Sequence, residues 1–177
     1  MARERFEVNP PATLFTTEQI QDRVRAMARV IAAAPLKPDI AMPVLVGGFI
    51  FAADLLRALA WEGVALDVEM VWLRSYGDKR AAGAVSMIAG PSEQIAGRHV
   101  LVIDGVLDAG RTIAKAVSLI RAAGAASVQV AVMLDKQRGD AVAKGDYVGF
   151  TVGNDFVIGY GMDEAGRYRG LPYIGKI

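Results

Sequence analysis

Residues 100–112 read Val-Leu-Val-Ile-Asp-Gly-Val-Leu-Asp-Ala-Gly-Arg-Thr. An apolar run ends in Asp104, passes a second acid at Asp108 and a glycine at Gly110, and reaches Thr112 as a helical pattern begins. Free backbone N–H groups at a helix start suit a phosphate, and a glycine lets the chain approach it closely. Thr112 adds a hydroxyl donor and Arg111 a positive charge. Two carboxylates beside such a cradle suit the vicinal hydroxyls of a sugar, a divalent cation held by phosphates, or proton transfer. The same residues also fit an ordinary strand–turn–helix junction in which Asp108 is a helix cap, and spacing alone leaves both readings open.

The elements that must position this turn follow from hydrophobic periodicity. Thr16 and Gln19 have capping-box spacing, and Ile20, Val24, Met27 and Ile31 recur at helical intervals until Pro35 and Pro38. Val44–Val46 is strand-like and broken by Gly47-Gly48; Phe51–Trp61 is helical, with Leu55 and Leu56 on its apolar face. Val68–Leu73, His99–Ile103 and Val128–Leu134 are further strands, with a helix from about Arg111 to Ala123. This alternation predicts an α/β fold, a parallel twisted sheet flanked by helices, with the Asp104–Thr112 turn beyond the carboxyl end of a strand. A single domain over residues 1–177 is expected. Residues 1–15 form an N-terminal arm, 75–97 a mobile loop, and 147–177 a small β-rich hood. Trp61 and Trp72 are assigned to the core. His99, the only histidine, is assigned a structural place at the start of its strand.

Composition removes several classes of function. The 177 residues carry 20 basic and 19 acidic side chains, a formal charge of +1, which gives no electrostatic footprint for nucleic acid or a membrane surface. Cysteine is absent, so no disulfide, thiolate nucleophile or cysteine-bound metal is available. Met-Ala-Arg-Glu-Arg is followed by no apolar segment, and a cytoplasmic location is expected.

Asp104–Thr112 resembles the motif with which type I phosphoribosyltransferases bind phosphoribosyl pyrophosphate (PRPP): two adjacent acids, then Asp-Thr-Gly-x-Thr. Asp104, Asp108, Gly110 and Thr112 fit; Gly105 stands in place of the second acid and Ala109 in place of threonine. Further segments resemble the hypoxanthine-guanine branch in order and spacing. They are Leu45-Val46-Gly47-Gly48, Leu73–Tyr76, Leu134-Asp-Lys136, Asp146–Phe150, Asp155–Asp163 and Tyr168–Gly175. The resemblance spans the chain from about residue 16.

It implies transfer of the phosphoribosyl group of PRPP to hypoxanthine or guanine, with Mg²⁺ as cofactor and a homodimer or homotetramer as assembly. Lys136 then donates to the purine O6, Phe156 stacks on the base, and the Val157 backbone meets its edge. Asp163 lies beside the base and, with Asp104, at the metal. Asp108 lies near the purine N7 as general base or transition-state stabiliser. PRPP is held by Asp104, Asp108, Ala109, Gly110, Arg111 and Thr112, by Val46 and Gly47 in the pyrophosphate turn, by Ser75 and Tyr76 at the mobile loop, and by Arg169. The family commonly has lysine at Val46. If Gly105 and Ala109 are simple losses, Gly105→Asp and Ala109→Thr are expected to tighten PRPP use. Two alternatives stand beside this one: a nucleotide-sensing or RNA-binding regulator on the same fold, and a pyrimidine or xanthine phosphoribosyltransferase.

Overall fold

The apolar runs assemble into one sheet because each has two faces to bury. In the computed structural model, which describes residues 11–75 and 85–177, the central strands are β2 (Ile40–Leu45), β6 (His99–Leu107) and β7 (Ser127–Asp135). Side chains alternate across a strand, so Leu101 and Ile103 of β6 join one core cluster while Val100 and Val102 join the other. Both faces are covered, which is why these strands read as continuous apolar runs. Helices α1 (Thr17–Ala33) and α2 (Phe49–Trp61) supply the first cluster, and α3 (Arg111–Ala122) supplies the second. The predicted capping box starts α1: Gln19 N–H donates to Thr16 Oγ1, and Thr16 N–H to Gln19 Oε1 at 2.8 Å.

The strand order is β5-β4-β2-β6-β7-β8, with the two-residue β3 (Asp67–Val68) also beside β2. All pairs are parallel except β4 (Val71–Ser75) with β5 (Val85–Ala89). Because β2 and β6 are parallel neighbours, the Gly47-Gly48 turn and the Asp108–Gly110 turn emerge at the same end of the sheet; Asp104 itself lies within β6, paired with Val132 of β7, and does not open the turn. A second, antiparallel sheet joins β1 (Ala12–Phe15), β10 (Ile174–Lys176) and β9 (Val157–Ile158). Among the described residues no helix is long and apolar enough to cross a membrane.

Four expectations change. The hood does not begin at Tyr147: β8 (Tyr147–Thr151) is the edge strand of the main sheet, paired with β7. Residues 11–15, the part of the arm that is described, join the hood, since β1 pairs with the C-terminal β10; Phe15 stacks on Phe150 with ring centroids 4.0 Å apart. The polar stretch 75–97 holds β5 and a one-turn helix at Glu93–Ile95; residues 76–84 lie outside the described residues. Trp61 is not a core residue: it is 91% exposed at the end of α2, while Trp72 is half-buried. His99 is held as expected, its Nδ1 2.8 Å from Ser127 Oγ.

Candidate active site

Strand β6 delivers the phosphate-type turn. Gly110 adopts φ +75°, the left-handed conformation that favours glycine, and an added Cβ would lie 2.9 Å from Ala143 N. Its carbonyl accepts the first intrahelical bond, from Ala114 N–H at 2.8 Å, so the N–H groups of Arg111, Thr112 and Ile113 precede the helical ladder. That is the donor set an anion can use. Ala109 contributes its backbone, whose carbonyl accepts from Val142 N–H at 3.0 Å.

Beside this turn, a cavity of about 190 Å³ is lined by Gly47, Val106, Asp108, Lys136, Phe156, Val157, Met162, Asp163 and Arg169. Lys136 follows β7; its N–H donates to Leu107 O at 3.0 Å, and the Asp135 carboxylate accepts from Gln137 N–H at 2.7 Å, fixing the turn. The Lys136 side chain is only 10% exposed, and its ammonium lies 3.0 Å from Asp108 Oδ2. Arg138 Nη1 lies 3.0 Å from Asp108 Oδ1. On the opposite side Arg169 pairs with Asp163 Oδ1 at 2.6 Å and donates to Gly161 O at 2.6 Å, while Asp163 Oδ2 accepts from Gly166 N–H. The hood that carries these residues is tied to the helices through Asp54. Its Oδ2 accepts from Tyr160 Oη and Gln21 Nε2, each at 2.8 Å, and its Oδ1 pairs with Arg57. Burial, and then the bond to Asp54, push the Tyr160 hydroxyl well above the usual phenol range.

The turn after β2 is packed by glycines. A Cβ on Gly105 would lie 2.9 Å from Gly47 O and 3.3 Å from Met162 Cγ, and one on Gly161 would also run into Gly47 O. Asp104 is buried next to this turn, and its Oδ1 accepts from Gly105 N–H at 2.7 Å. Desolvation raises its carboxyl to about 7, against an ordinary 3.8, with the Gly105 bond opposing.

The phosphoribosyl transferase domain pattern matches residues 13–165. The chain is 35% identical over 167 residues to the hypoxanthine-guanine phosphoribosyltransferase of Bacillus subtilis, covering 93% of this chain and 91% of that protein. This chain belongs to the phosphoribosyltransferase family. Its relatives place it in the hypoxanthine-guanine branch; the Dictyostelium discoideum enzyme of that name is 31% identical over 168 residues, covering 93% of each. It is 38% identical over 165 residues to the bifunctional protein TilS/HprT of Listeria innocua, covering 92% of this chain but only 25% of that longer protein. A Trypanosoma cruzi hypoxanthine phosphoribosyltransferase complexed with the product IMP superposes with TM-score 0.85 at 33% identity, covering 97% of this chain and 93% of that one.

In this member of the family, Gly47, Asp108, Lys136, Phe156, Val157, Asp163 and Arg169 line one cavity. Asp104 lies behind it, toward Gly47. Arg111 and Thr112 open α3, and Val46 is partly exposed on the β2 turn. Ser75 ends β4, and Tyr76 lies outside the described residues. Sequence reasoning missed Val106 and Met162 in the lining, the Gly161 carbonyl that holds Arg169, and Arg138. Only Arg138 carried a signal: a cation two residues beyond Lys136. Gly105 is not a simple loss. It does not sit in the left-handed region, yet a side chain there would meet the Gly47 carbonyl. The expectation that Gly105→Asp tightens PRPP use is therefore reversed.

Proposed function

We propose that the chain transfers the 5-phosphoribosyl group of PRPP to hypoxanthine or guanine, giving IMP or GMP and pyrophosphate. The observation that carries this reading is the convergence of Asp108, Lys136, Phe156, Asp163 and Arg169 on one cavity beside a helix N-terminus. The 5′-phosphate is received by the backbone of residues 109–112 and the Thr112 hydroxyl, and pyrophosphate by the Val46–Gly47 turn and Arg169. Ser75, which ends β4, contributes to the PRPP side of the site, where exclusion of water keeps the ribosyl cation from being trapped. Phe156, 41% exposed, stacks on the purine. The Lys136 ammonium donates to O6, a contact that adenine, with an amine donor there, cannot make. As the C1′–O bond to pyrophosphate breaks and C1′–N9 forms, Asp108 accepts the proton of N7–H. The remaining charge is stabilised by position and electrostatics.

The described residues hold no cluster of three or more potential metal ligands among His, Cys, Asp and Glu. Mg²⁺ bound mainly through substrate oxygens needs only one or two carboxylates, and Asp163 at the cavity is a hard oxygen donor that fits, whereas Asp104 is buried outside the lining and would serve only if it ionised on cation binding. When bound it would neutralise pyrophosphate charge. A homodimer or homotetramer in the cytoplasm completes the reading; size-exclusion chromatography with light scattering checks the assembly.

The test is a panel of hypoxanthine, guanine, xanthine, adenine and uracil, each with PRPP and a divalent cation. IMP or GMP is expected, with one pyrophosphate per nucleotide and none when the cation is chelated. Inactivity with every base at millimolar PRPP would overturn the enzyme and favour the regulator.

A further inference from the structure

Asp108 is held by two cations, and the two are not equivalent. Lys136 reaches Oδ2 with a single ammonium, on a side chain that lines the cavity and makes one ion pair there. Arg138 reaches Oδ1 with Nη1, and its remaining nitrogens are taken: Nε lies 2.9 Å from Asp140 Oδ1 and Nη2 3.0 Å from Asp140 Oδ2. A planar guanidinium forked onto one carboxylate has its orientation fixed, so its third nitrogen is fixed as well. The bonds to Asp140, and after them the bond to Asp108, hold the Arg138 guanidinium above its already high range, while Arg138 holds the Asp140 carboxyl below the ordinary carboxylate value.

We infer that Arg138, braced by Asp140, is a positioning residue that anchors Oδ1 of Asp108 and so turns Oδ2 toward N7 of the base when Lys136 moves to O6. The inference rests on the proposed role of Asp108 at N7. It adds a division of labour between the two oxygens. In the ligand-free state Lys136 occupies Oδ2; base binding exchanges that ion pair for Lys136–O6 and Oδ2–H–N7, and Arg138 keeps the carboxylate from swinging out with Lys136. Arg138 and Asp140 line a second groove that shares Lys136 with the cavity, and neither lines the cavity itself.

The test compares the binding of hypoxanthine with that of 7-deazahypoxanthine, which carries C–H in place of N7 and offers Asp108 no proton. Affinities are measured with a carbocyclic PRPP analogue that cannot react and a divalent cation. The native protein is expected to prefer hypoxanthine by about tenfold or more, the worth of a hydrogen bond to a charged group. In Arg138→Ala the preference should collapse to within about threefold, by weaker binding of hypoxanthine alone. Arg138→Lys, which keeps a cation but loses the fork, should retain part of it. Asp140→Ala should lower the preference in the native background and change nothing further in Arg138→Ala. If Arg138→Ala keeps the native preference, or weakens both bases alike as a merely structural loop residue would, the inference is overturned. If the native protein shows no preference, the placement of Asp108 at N7 has failed, and the inference falls with it.

Discussion

The wall of the site proposed to face the base carries its chemistry on side chains, whereas the wall proposed to face PRPP carries most of it on backbone. On the first, Lys136 and Phe156 bring an ammonium and a ring to the lining of one cavity. On the second, Val46, Gly105 and Ala109 offer neither charge nor hydroxyl, and Gly105 and Gly161 crowd around the Gly47 carbonyl. Side-chain chemistry can be deleted and restored one residue at a time. Backbone chemistry depends on how closely strands approach, so an added side chain disturbs it even when it supplies a familiar group.

The largest effect should come from the base wall. Lys136→Ala leaves O6 without its donor, and a hydrogen bond to a charged group is worth about 1.5–3 kcal/mol. Hypoxanthine affinity, measured by calorimetry with the carbocyclic PRPP analogue, should fall ~10- to 150-fold with analogue affinity nearly unchanged. Equal losses for both ligands would break the division between the walls. Gly105→Asp comes next. Its Cβ would lie 2.9 Å from Gly47 O, and overpacking of this kind typically costs ~1–3 kcal/mol. The variant should show a lower melting temperature and a PRPP Michaelis constant raised by on the order of tenfold. A well-folded variant with tighter PRPP use would show that side-chain loss, and not backbone packing, explains this position.

Asp104 gives a subtler readout. Its carboxyl titrates at about 7 in the folded protein against 3.8 ordinarily. The native state therefore holds more protons than the unfolded chain between those values. Stability from this group is greatest below about pH 4, declines as pH rises to about 7, and is level above. In the absence of PRPP and cation, the melting temperature of the native protein should fall between pH 5 and pH 8 by on the order of 5 °C more than that of Asp104→Asn. Parallel pH curves would contradict a buried, neutral-leaning Asp104. The smallest effect is expected from Ala109→Thr, which adds a hydroxyl near the 5′-phosphate. It should lower the PRPP Michaelis constant about two- to fivefold, the net worth of one modest hydrogen bond.

Much of this was legible in the sequence, for physical reasons. Strands buried on both faces are apolar throughout, so β7 and the first half of β6 stood out, and the capping box marked the start of α1; of β2 only its end, Val44-Leu45, was marked, and β6 runs on past the acid at Asp104 to Leu107. The turn after β6 was legible because a glycine just before a helical pattern suits a backbone that other residues avoid, and Gly110 adopts φ +75° there. Periodicity reports burial and not partners, so it could not show that β1 pairs with β10, or that β8 belongs to the main sheet. Trp61 was misplaced because helical spacing put it in an apolar stretch, whereas the last turn of α2 runs past the core into solvent. The role of Gly105 was illegible because it is set by the Gly47 carbonyl, on a neighbouring strand-end turn 58 residues earlier in the chain.

The central claim is that a lysine ammonium in this cavity reads the 6-position of a purine during phosphoribosyl transfer. It is tested most directly by initial rates of nucleotide formation from hypoxanthine and from adenine, at equal concentrations with saturating PRPP and divalent cation, in the native protein and in Lys136→Ala. The account predicts IMP without detectable AMP from the native protein, and a hypoxanthine-to-adenine rate ratio that drops at least tenfold in the variant. AMP formed by the native protein at a rate comparable to IMP, or an unchanged ratio on removing the ammonium, would contradict it.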